Sequence, residues 1–223
     1  MRVLIVVLMA VSVAGCIGVD KPLYDADKED TYYMPKLEGT WAATLQGRPD
    51  EPIHLVVTSN GAEGYTIRED RAVAPRSGKY APDMEAYLLQ IGGYNFMDWT
   101  VVAPEEPEED NALEALTGYH FPLRVKEIVF DDETGSARLV LLIPSQDDWM
   151  LGYLRRHPEL DITHERIAMP GDEADRLIFK GTREDLRLYL TACAQSVTGF
   201  DAELTILLEP EEAAATAETD GAE

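Results

Sequence analysis

The side chains able to do chemistry are few and scattered. The histidines are His54, His120, His157 and His164, and no two stand four apart as a helical metal pair would require. His54 alternates with Ile53 and Leu55, which predicts a solvent-facing strand position. His157 precedes Pro158 at a predicted helix end, facing the C-terminal dipole. His164 and Glu165 are adjacent, so on a strand they point to opposite faces. Cys193 lies on an apolar helical stripe with neither a base nor a positive field beside it, which predicts a buried structural thiol. Ser145 reads as a helix cap and Ser59 as a turn residue, and no Gly-x-Ser-x-Gly elbow occurs. Asp98 is the carboxylate of most interest, because Phe96, Met97 and Trp99 surround it. Buried, it needs a hydrogen-bond partner or keeps its proton. The simpler expectation is an exposed aspartate at a strand kink. The five carboxylates between Glu105 and Asp110 lack the spacing of a calcium loop. No catalytic residue, metal site or cofactor is expected from this set.

Cys16 has a different setting. Met1-Arg2 is a short basic region, and Val3 to Val13 is an apolar run of about eleven residues, too short to cross a hydrocarbon core as a helix. It fits a signal peptide. Val13-Ala14-Gly15-Cys16 resembles the lipobox of bacterial lipoproteins. The resemblance implies cleavage before Cys16, a diacylglyceryl group on its sulfur and a further acyl chain on the new N-terminus. Two or more chains anchor stably, at roughly 0.8 kcal/mol per buried CH₂. In that family an Asp after the cysteine favours the inner membrane. Ile17 stands there, which implies the periplasmic face of the outer membrane in a two-membrane cell.

Removal of 1–15 leaves 208 residues, enough for one domain with a sizeable core. With Cys16 acylated, Cys193 has no partner for an internal disulfide. The net charge of -23 argues against nucleic acid and anionic lipid heads as partners. The acidic run from Asp20 to Asp30 reads as part of a tether over 16–36, and Glu209 to Glu223 as a disordered acidic tail. A single β-rich domain is expected over 37–208.

Within that domain, alternating or β-branched runs predict strands at Thr40–Leu45, Pro52–Thr58, Gly64–Glu69, Met84–Ile91, Tyr94–Val102, Tyr119–Phe130 (Leu123–Phe130 where Pro122 breaks it), Ala137–Ile143, Ile162–Ala168, Asp175–Lys180 and Leu204–Leu208. Imperfect alternation at Met97-Asp98-Trp99 suggests a bulge. Pro122 suggests an edge position or a strand break. Pro170-Gly171 predicts a turn, and Ala112 to Thr117 a short helical turn. One helix is expected from Ser145 to Pro158. A second follows Thr182, with Leu186, Tyr189, Leu190, Cys193 and Val197 on its apolar face. The opening Leu37-Glu38-Gly39-Thr40-Trp41 is similar to the Gly-x-Trp start of lipocalin-type barrels and to the Leu-x-Gly-x-Trp start of many bacterial lipoproteins. That resemblance implies a calyx for an apolar ligand.

The expected fold is mainly β: an antiparallel sheet or small lipocalin-like barrel with two covering helices. Trp41, Tyr65, Phe96, Asp98 and Trp99 are the candidate pocket or core residues. The expected role is a membrane-anchored, non-enzymatic binding or scaffold module with an envelope protein as partner. The alternatives are a carrier of a small apolar ligand and a hydrolase with a dispersed site.

Overall fold

The computed structural model describes residues 17–24, 30–46, 48–70, 83–103, 114–144, 148–169 and 175–211. Twelve strands and two helices are named in chain order. They are β1 (Ile17–Val19), β2 (Thr31–Tyr32), β3 (Gly39–Leu45), β4 (Arg48–Ser59), β5 (Tyr65–Glu69), β6 (Met84–Ile91), β7 (Tyr94–Val101), β8 (His120–Phe130) and β9 (Ala137–Pro144). Helix α1 (Asp148–Arg156), β10 (Ile162–Ile167), β11 (Arg176–Gly181), α2 (Arg183–Gln195) and β12 (Phe200–Pro210) complete the order.

Eight antiparallel strands close on themselves in the order β8-β7-β6-β5-β4-β3-β12-β9, with β9 pairing back to β8. The predicted mainly β fold is therefore a closed barrel with two covering helices. Alternation sets its interior. On β3, Trp41, Ala43 and Leu45 are buried and Ala42 and Thr44 are not. On β8, Phe121, Leu123 and Val125 enter the same core.

The turns carry the expected chemistry. Asn60 Oδ1 accepts from the amides of Ala62 (2.9 Å) and Gly64 (3.1 Å), closing the β4–β5 hairpin. Gly92 and Gly93 sit at φ +58° and +83° between β6 and β7, as a two-residue hairpin turn with both φ positive demands. A Cβ on Gly92 would stand 2.4 Å from the Thr191 side chain, so this turn also leaves room for α2.

Strands β6 and β7 are buried on both faces. Met84, Ala86, Leu88, Met97 and Val101 face the barrel interior, whereas Tyr87, Leu89, Ile91 and Phe96 belong to a second core outside it. That second core is roofed by α2 (Leu186, Tyr189, Leu190, Cys193), by Met150 of α1, and by β1 and β11. The imperfect alternation at Met97-Asp98-Trp99 therefore reflects two cores. No bulge is present: the ladders from β7 to β6 and to β8 run without a shift through Asp98.

Pro122 lies inside a continuous β8, paired with Asp98 on one side. On the other side β8 changes neighbour around it, from Val19 at His120 to Leu142 at Arg124. A residue without an amide proton fits that gap between partners.

The tether expected over 16–36 is corrected by the structure. Strand β1 inserts beside β8 and runs parallel to β11, with Ile17 opposite Leu177 and Val19 opposite Phe179. Ile17 and Val19 are 1% exposed, and Leu23 is fully buried. Thr31–Tyr32 adds to β6 as β2. Apolar side chains in the outer core outweigh the acidic character of the segment. Arginines hold it as well: Arg183 Nε donates to Pro22 O (3.1 Å), and Arg187 donates to Leu23 O (2.8 Å) and pairs with Asp30 (3.1 Å).

Two other boundaries move. The last strand runs on to Pro210, which pairs with Trp41, and the Glu211 amide donates to Thr40 O (3.0 Å). The expected tail thus begins later than Glu209. Val197 lies past the end of α2 and is 96% exposed, so it is not on the packed stripe. The short helical turn expected over Ala112–Thr117 is found as a 3-10 turn at Glu114–Leu116. Cys16 and the leader, the acidic loop at Glu105 to Asp110, Ser145, the Pro170-Gly171 turn and 212–223 lie outside the described residues.

Candidate functional site

The barrel encloses an apolar cavity of about 50 Å³. Its walls come from seven of the eight barrel strands and the turn before β3. Leu37 and Ala43 lie at one side, Tyr65, Met84 and Ala86 at another, and Met97, Trp99 and Ile206 complete the ring. Strand alternation puts them there, since each occupies an inward position. Trp41 does not line the cavity but supports its wall: its Nε1 donates to Leu37 O (3.0 Å), and Leu37 does line it. Tyr65 stacks on Tyr33 at 5.1 Å, and its hydroxyl accepts from the Met34 amide (2.7 Å), which ties the segment before β3 across the barrel mouth. Burial pushes the Tyr65 phenol up to about 12. Trp99 Nε1 is buried with no hydrogen-bond partner among the described residues.

Of the five candidate pocket residues, Tyr65 and Trp99 line this cavity and Trp41 supports it. Phe96 and Asp98 lie on the opposite face of β7, in the outer layer. Phe96 packs at 6.0 Å from Phe200. Asp98 is 0% exposed, so the exposed kink is corrected to a buried carboxylate. Its Oδ2 stands 3.1 Å from His120 Nδ1 and accepts from the Leu23 amide at 3.4 Å. Register explains the meeting: Asp98 pairs with Pro122 and Thr100 with His120, so both side chains share the outer face. Oδ1 of Asp98 has no partner among the described residues. Tyr24 closes over the pair, edge-on to His120 at 6.3 Å and stacked on Tyr87 at 4.1 Å. Burial, followed by its hydrogen bond to Tyr87, holds the Tyr24 phenol far above its ordinary value. The arrangement ties the N-terminal segment to the barrel wall.

Sequence reasoning weighed a partner for Asp98 but did not find His120. The signal was available in principle, because antiparallel pairing of Tyr94–Val101 with the strand after Tyr119 sets the two within reach. It required a register that sequence does not give.

The remaining histidines sit apart. His54 contacts Glu211, His157 bonds Glu159 at 2.8 Å and stacks on Tyr153, and His164 leans on Phe179 while Glu165 pairs with Lys180 at 2.8 Å. The opposite-face expectation for His164 and Glu165 holds. Among the described residues no three His, Cys, Asp or Glu side chains could hold a metal together. Cys193 is fully buried as expected, and burial pushes its thiol up to about 12, against the lowering contact from Tyr189.

The architecture is that of a small β-barrel with a closed wall, an apolar interior and a covered outer face. No protein-family model, curated protein or solved structure matches this chain.

Proposed function

We propose that the protein is a non-catalytic barrel that carries a small apolar ligand, held at a membrane by acyl chains on Cys16. The observation that carries the ligand half is the wholly apolar cavity inside a closed barrel. Its volume of about 50 Å³ exceeds the roughly 10–15 Å³ that one water needs and falls well short of the roughly 300 Å³ of a drug-sized site. The ligand is therefore a short-chain or single-ring molecule, with Met84 and Met97 as the flexible wall that adjusts around it.

Hexanol or benzene titrated into the protein should bind saturably, read by calorimetry and tryptophan emission. Ala86→Leu fills the cavity from a buried wall position and should remove that binding while the native circular dichroism is retained. Equal binding to both forms, or none to the native protein, defeats the carrier reading.

A second reading, a scaffold for another envelope protein, draws on the small size of the same cavity, since side chains fill most of the interior. The anchor half rests on Val13-Ala14-Gly15-Cys16. Cys16→Ser should abolish fatty-acid labelling and release the protein from membranes into the soluble fraction. Continued labelling of that variant removes the anchor.

A further inference from the structure

Building on the anchor reading, we propose that the outer layer rests directly on the bilayer, at the end where Ile17 enters it, with Val197 in the headgroup region. The first argument is reach. A tether of twenty residues could lift a domain by about 60–70 Å at roughly 3.3–3.6 Å per residue. Here Ile17 is already a buried strand residue, and the Cα of Cys16 is bonded one step away, about 3.8 Å. Acyl chains on Cys16 hold the folded body itself, not a leash.

The second argument is direction. Strand β1 is antiparallel to β8 with Val19 opposite His120, so moving back to Ile17 moves along β8 toward Arg124. Arg124 donates to Ala194 O at 3.1 Å, in the last turn of α2. The first half of α2 holds Pro22 and Leu23 through Arg183 and Arg187. Helix α2 therefore lies over the N-terminal segment with its C-terminal end beside the point of attachment. Val197 follows that end and is the most exposed large apolar side chain among the described residues, with Leu188 of the same helix 53% exposed.

The third argument is charge. Residues 148–195 carry nine acidic and seven basic side chains, close to balance in a chain of net -23. A stretch of net -2 is repelled by lipid head groups far less than the chain as a whole, at net -23.

The test uses the acylated full-length protein in phosphatidylcholine vesicles containing bromine-labelled lipid. Intact mass first reports the acyl chains. A fluorophore is placed on Val197→Cys and, separately, on Thr58→Cys, which is exposed on β4, four strands round the barrel from β8. Cys193 is buried and Cys16 is acylated, so neither competes. Emission at 197 should be quenched several-fold more than at 58. Inserting ten Gly-Ser residues between Cys16 and Ile17 should erase the difference. Acylated protein quenched equally at both sites overturns the orientation and leaves the anchor standing. Absence of acyl chains overturns both.

Discussion

At the scale of single residues, Asp98 and His120 carry the sharpest consequence. One oxygen of this fully buried carboxyl group stands 3.1 Å from a ring nitrogen and accepts from one backbone amide, and the other has no partner among the described residues. Removing the imidazole leaves a buried carboxyl group with one backbone amide to meet it, which costs roughly 3–5 kcal/mol. Removing the carboxylate leaves the His120 ring nitrogen and the Leu23 amide without their shared acceptor, which costs about 1–3 kcal/mol. His120→Ala should thus lower the urea midpoint more than Asp98→Ala, and the double variant should cost less than the two added together. A strictly additive cycle would show that the pair is not coupled. The sequence exposed half of this: Asp98 stood out among aromatic neighbours, but its partner sits on another strand, and only the register joins them.

At the scale of elements, the regular strands and both helices were legible because each has a period. Thr182 shows the same for local chemistry: its Oγ1 accepts from the Asp185 amide at 3.1 Å and donates to the Asp185 carboxylate at 2.6 Å, the reciprocal cap its spacing implies. Strands β1 and β2 were not legible. Three residues and two residues show no period, and their apolar members follow directly on the leader or stand among carboxylates. Gly18 tests the seat of β1. A Cβ there would stand 2.5 Å from Ile178 Cδ1 and 2.9 Å from Phe121 Cε1. Gly18→Val should destabilise by about 1–3 kcal/mol through overpacking, read as a lowered thermal midpoint. A neutral result would mean that the strand is not seated between β8 and β11.

At the scale of the whole molecule, a sheet or barrel under two helices was foreseen, but neither its closure nor its double core was. Hydrophobicity reports that a strand is buried, not which of two layers buries each face. Both cores hold acidic groups in their protonated form. Burial raises the Cys193 thiol and the Tyr65 phenol to about 12, and it raises Tyr24 and Tyr189 as well. In the unfolded chain these groups ionise near 8.5 and 10. Above those values the unfolded state has lost protons that the folded state keeps, so stability falls as pH rises from about 9 toward 12. Each group contributes roughly 1.4 kcal/mol per unit of pH across its own window. Unfolding followed by urea should show a stability plateau below pH 8 and a decline beyond pH 9 that Cys193→Ala makes shallower. A stability that climbs through that range contradicts the buried phenols and thiol.

Strand β1 also fixes an order of events. Ile17 finds its ladder partner at Leu177, so the earliest part of the described chain to leave the ribosome must wait for nearly the last before it can dock. Until then β8 and the outer faces of β6 and β7 lack their cover. Strand β1 stays without its parallel partner throughout that wait and is seated once β11 arrives. Completion of the outer layer at the start of the chain is thereby timed by the birth of its far end.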